Sequence, residues 1–154
     1  MQRSSRQYSR LRRTWKCYHL TRDSAIPDVA EYWAAGEIEI RRVTSGWKIR
    51  AIHRDFGKAH YEYVMEGHLS GGVALLIEKN LNESFRDDCL AYFNNLMHGD
   101  QITGFWIGPN YDQETTIGPY ILSQTELSPD DLHRIATANA ICVLSSKDGL
   151  RVSI

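Results

Sequence analysis

Gln101–Ser123, QITGFWIGPNYDQETTIGPYILS, reads as two short strands of alternating bulk joined by a polar turn. Gly104, Gly108 and Gly118 fall inside those strands. A glycine there weakens a strand unless the sheet coils, bulges or meets another backbone at close range. Three of them beside Trp106 and Tyr120 predict the corner of a small, strongly bent barrel.

Working outward, the same alternation recurs. Thr14–Thr21 sets Trp15, Cys17 and His19 on one face, and Glu37–Val43 sets Ile38 and Ile40 against Glu37, Glu39 and Arg41. Ser45-Gly46 turns the chain into a strand that aligns Trp47, Ile49, Ala51 and His53. A further strand aligns Tyr61, Tyr63, Met65 and Leu69, and Ser70-Gly71-Gly72 breaks it before the almost wholly apolar Val73–Glu78. Cys89–Leu96 reads as a sixth strand, and the opening stretch supplies the last two.

Eight short strands joined by turns predict a mainly β fold, an eight-stranded antiparallel up-and-down barrel of calycin type. At eight strands the interior is filled by side chains or holds one small ligand. One or two short helices accompany it. Asp23–Ala35, with Ser24 or Asp28 as cap and Gly36 as stop, predicts the first. Ser128-Pro129-Asp130-Asp131 opens the second, which runs to about Ala138 and buries Leu132, Ile135 and Ala136. A short terminal hairpin is expected around Lys147-Asp148-Gly149.

The chain has 154 residues, enough for one domain with a real core. Its net charge of −1 hides an asymmetry: six basic groups lie in Met1–Lys16 with no acid, leaving 12 basic and 19 acidic elsewhere, a balance of 12 − 19 = −7. Residues 1–13 therefore read as a basic flexible arm, dispensable for folding, and residues 14–154 as a single barrel domain. Such an arm suits weak contact with nucleic acid or an anionic membrane. No apolar run approaches the roughly 20 residues that span a bilayer, and no secretory signal is present, so the cytoplasm is the default compartment.

Catalytic signatures are missing from the sequence. Three cysteines lack CxxC spacing, six histidines show neither HxH nor HExxH, and no GxSxG elbow or phosphate loop occurs. No catalytic residue, metal ligand or cofactor is assigned. The aromatic residues are more informative: if alternation turns Trp15, Trp47, Tyr61, Tyr63, Trp106 and Tyr120 inward, they line a small-molecule site.

The segments Trp15–Leu20, Glu66-Gly67-His68-Leu69, Gly104-Phe105-Trp106-Ile107-Gly108 and Gly118-Pro119-Tyr120-Ile121-Leu122 together resemble the lipocalin-like barrel of bacterial STING-like membrane effectors in cyclic-oligonucleotide defence. The resemblance covers Trp15–Ser123. It implies a noncatalytic sensor of a small molecule, including a nucleotide, coupled to an output domain or protein partner. Those effectors carry two membrane helices ahead of the barrel, and no such segment occurs here. Two other functions stay open: a small barrel enzyme using His53 or His19 as acid and base against Tyr63, and a solid-cored protein-interaction module. A histidine and a carboxylate converging in a cavity would mark the enzyme.

Overall fold

In a computed structural model, residues 8–25, 31–44, 48–56, 61–82, 88–94, 96, 99–139 and 144–145 are described. Eight strands follow one another around a closed antiparallel barrel: β1 Thr14–Thr21, β2 Tyr32–Thr44, β3 Lys48–Asp55, β4 Glu62–Ser70, β5 Val73–Asn80, β6 Cys89–Asn94, β7 Gln101–Pro109 and β8 Thr115–Ser123. Each pairs with the next, and β1 pairs back onto β8 with Lys16 opposite Ser123 and His19 opposite Tyr120. Closure satisfies the edges that an open meander would leave bare. A two-residue strand, β9 Leu144–Ser145, adds to β8 opposite Thr116 and Ile117. The rest of the expected terminal hairpin lies outside the described residues.

The glycines do what a tightly coiled sheet requires. A Cβ at Gly104 would collide with the Tyr92 carbonyl on β6, and one at Gly67 with the Leu75 carbonyl on β5. Neighbouring strands approach there too closely for a side chain.

Helix α1, Pro129–Ala138, forms as its capping chemistry demands. The Ser128 Oγ accepts from the Asp131 amide at 3.1 Å, the Asp131 carboxylate accepts from the Ser128 amide at 3.2 Å, and Pro129 begins the helix. Its buried face, Leu132 and Ile135, packs with Tyr18 and Ile121 on the outside of the barrel. Among the described residues no helix is long and apolar enough to cross a membrane.

Two expectations need correction. Tyr32–Ala35 is not the end of a helix but the start of β2, with Tyr32 opposite Thr21 and Trp33 opposite Leu20. The reason is the period: Ala34, Gly36, Ile38 and Ile40 continue a single inward row, while Trp33 packs outward beside α1. Gly36 is no helix stop, because a Cβ on it would strike the Arg54 carbonyl of β3. Ser24 binds Asp112, and Asp28 lies outside the described residues.

The second correction concerns the basic arm. From Tyr8 onward it is part of the barrel. Tyr8–Arg12 forms a turn closed by the Leu11 amide on the Tyr8 carbonyl, and Leu11 is wholly buried. The Tyr8 hydroxyl donates to the Gly71 carbonyl at 3.2 Å, Arg10 donates to the Leu96 carbonyl, and the Trp15 indole donates to the Leu11 carbonyl. Two apolar side chains among the arginines plug one mouth. That end is solid: Trp15, Ile38, Met65, Leu69, Phe93 and Ile102 are all at most 2% exposed.

Candidate functional site

The opposite end of the barrel is built differently. Inward positions on three strands change character toward the same mouth: Trp15, Cys17, His19 and Thr21 on β1; Ile49, Ala51, His53 and Asp55 on β3; Ala74, Leu76 and Glu78 on β5. Each row runs from apolar to polar. His53, Asp55 and Glu78 are buried, at 2%, 4% and 4% exposure. Burial without partners would be prohibitive for such groups, so their hydrogen bonds define the site.

The Tyr120 hydroxyl donates to Glu78 Oε1 at 2.9 Å. Its one proton is thereby used, so its oxygen accepts from His53 Nδ1–H at 3.1 Å, and the same nitrogen lies 3.4 Å from Glu78 Oε2. His53 Nδ1 therefore carries a proton in the neutral and the charged ring alike. Tyr63 stacks on the other side of the imidazole, with centroids 5.2 Å apart. Among the described residues, His53 Nε2 and His19 Nδ1 are enclosed without a hydrogen-bond partner.

Opposing forces set the charges. Burial works against the His53 imidazolium, but Cys17 and Glu78 beside it hold its pKa well above the ordinary histidine value. Burial pushes the Cys17 thiol up, against the pull of His53. His19 moves the other way: burial lowers its pKa against the pull of Asp55, and it stays neutral beside the charged His53. Burial and the Glu78 charge raise Tyr120 well above its ordinary value, so it remains a proton donor.

These groups surround a chamber of about 40 Å³, lined also by Tyr63, Trp106, Cys89 and the β7–β8 turn. That is room for roughly three waters, or for a compact group of a few heavy atoms. The turn forms a strap across the mouth. The Asn110 Oδ1 accepts from the amides of Asp112 and Glu114 at 2.9 and 3.0 Å, fixing the turn from within. Asp112 accepts from the Ser24 amide and hydroxyl, and the Tyr111 hydroxyl donates to Asp55 Oδ2 at 2.9 Å. Tyr111 also stacks on Tyr32, whose own pKa burial and Asp23 push up to about 12.

No protein-family signature, curated protein or solved structure matches this chain.

Of the six aromatic residues expected to share a site, the structure brings Tyr63, Trp106 and Tyr120 together in the chamber. Trp106 is held there by a bond from its indole to the Leu20 carbonyl at 3.0 Å, and Gly118 provides the space, since a Cβ would lie 2.6 Å from that carbonyl. Tyr61 meets the edge of Tyr63 but does not line the chamber. Trp15 belongs to the solid end, with one of the earliest inward positions of β1. Trp47 lies outside the described residues. Sequence reasoning missed Asp55 altogether and reads Glu78 only as the end of an apolar strand. The inward rows turning polar at one end were the available signal. Among the described residues, no three His, Cys, Asp or Glu side chains are arranged to hold a metal ion.

Proposed function

We propose that the protein is a small-molecule-binding barrel whose site is the polar chamber behind the β7–β8 strap. The observation that carries this reading is the chamber itself: buried, hydrogen-bonded His53, Glu78 and Tyr120 around an opening, in a barrel whose other half is filled with hydrocarbon. A polar network in a core lowers stability relative to apolar packing unless every member is satisfied, and it is retained at sites that recognise something. The chamber's size favours the head of a small molecule over a whole nucleotide. A sensing role, with occupancy read by a partner protein, belongs to the same proposal on the strength of the resemblance to STING-like effector barrels. So does a cytoplasmic setting, where a thiol such as that of Cys17 stays reduced.

The test is intrinsic fluorescence during a screen of amines, carbonyl compounds, aromatic metabolites, lipids and nucleotides. A chamber ligand changes the emission of the native chain, and the change disappears in Trp106→Phe. Quenching that is the same in both proteins, or no quenching by any compound, overturns the reading.

A second reading is favoured by the His53–Glu78–Tyr120 triangle, which joins a base, an acid and an oriented hydroxyl as proton-transfer sites do. In that case a chamber ligand is converted to product, and the conversion is lost in His53→Gln.

A further inference from the structure

The charges and rings around the chamber are unevenly distributed. Two carboxylates, Asp55 and Glu78, line it, against the single positive charge of His53, and His19 contributes none. Tyr63, Trp106, Tyr111 and Tyr120 add four aromatic rings. An aromatic ring is negative over its face, so any ring that turns its face inward adds to the field of the carboxylates. The Tyr120 and Tyr111 hydroxyl protons are committed to Glu78 and Asp55, which leaves those hydroxyls poorly placed to solvate an incoming anion.

We propose that the chamber takes a small organic cation, an amine or ammonium head group of a few heavy atoms, in the combined field of Asp55 and Glu78. This rests on the ligand-binding reading above and adds the ligand's charge and size. The strap sets the size: it is tied at Ser24 and at Asp55, so the space behind it is bounded by hydrogen bonds rather than by a loose loop. A longer amine places its head in the chamber and its tail toward the mouth.

Proton linkage follows from the groups that face His53: Cys17 and His19 from β1, Tyr63 from β4, Glu78 from β5, Tyr120 from β8, and Asp55 on its own strand. Burial raises both Cys17 and Tyr120 and keeps them neutral, so the chamber carries one net negative charge while His53 is protonated and two after it loses its proton. A bound cation therefore favours the deprotonated form, and its affinity increases with pH.

The experiment is a titration of the full ¹⁵N-labelled chain, read at the Trp106 indole N–H, which is assigned from its loss in Trp106→Phe. Methylammonium and ethylammonium are compared with acetamide as the neutral control and acetate as the anionic one. The cations should bind about tenfold or more tighter than either control, and their affinity should increase rather than fall as the pH is raised. Asp55→Asn should remove most of that preference; the comparison of ligands on the native chain stands even if this variant folds poorly. Acetamide or acetate binding as tightly as the amines overturns the cation while leaving the binding reading intact. The same holds if the amines leave the Trp106 signal unmoved and the fluorescence screen finds another ligand. If neither experiment finds a ligand, both readings fall.

Discussion

Leu11 is the residue whose replacement most sharply tests the plug at the solid end of the barrel. Its side chain is wholly buried, in the same cluster as Trp15 and Tyr8. Leu11→Ala removes three methyl or methine carbons from a site whose walls are β-strands and cannot collapse freely. The cost should be about 2 to 5 kcal/mol. For a chain of this size each kcal/mol lowers the melting temperature by roughly 2 to 4 °C, so a fall of about 4 to 20 °C is expected. Thermal and urea denaturation of Leu11→Ala should be compared with Arg12→Ala, an exposed neighbour whose change should stay within about 0.5 kcal/mol. If Leu11→Ala costs less than about 1 kcal/mol, the arm is as dispensable as its composition implies and the plug contributes nothing.

Three further outcomes follow from the same packing and charges. His53 is held above its ordinary pKa in the fold, so its contribution to stability is fully present below about pH 6.5 and is lost as pH rises through the raised value; His19 is held below, so stability falls as pH drops under about 6.5. Urea midpoints from pH 5 to 9 should show both limbs, with His53→Gln flattening the alkaline limb and His19→Gln the acid one. Gly104→Val should yield no folded protein, since its Cβ would occupy the place of the Tyr92 carbonyl, and soluble protein with native circular dichroism would contradict the close strand approach. Ser128→Ala removes the α1 cap and should cost about 1 kcal/mol in denaturation, a loss that Ser128→Asp largely restores.

The barrel was legible because period-2 alternation is local: Ile49, Ala51 and His53, or Tyr63, Met65 and Leu69, declare a face without reference to any other strand. Gly36 was misleading for the opposite reason. Its role depends on the Arg54 backbone of a neighbouring strand, which sequence order does not reveal, while Ser24 and Asp28 offered a helix cap upstream. Tyr8 and Leu11 make too short an apolar pattern to stand out among arginines, and only closure of the barrel gives them something to cover. That Tyr63, Trp106 and Tyr120 face inward was legible from alternation. Which end of the barrel each inward residue occupies was not, because that depends on strand direction and register: Trp15 and His19 share a face but lie at opposite ends of it. Asp55 and Glu78 needed both pieces of information. Their polarity at strand ends looks like ordinary solvent exposure until the strands are placed side by side.

The most direct test of the polar chamber is the pair of indole N–H signals from Trp106 and Trp15, followed in one spectrum as a ligand from the fluorescence screen is added. Trp106 lines the chamber and Trp15 sits in the solid half, bonded to the Leu11 carbonyl. Occupancy should move the Trp106 signal saturably and leave Trp15 nearly unchanged. Equal movement of both signals, or movement of Trp15 alone, would contradict a binding site confined to the strapped end of the barrel.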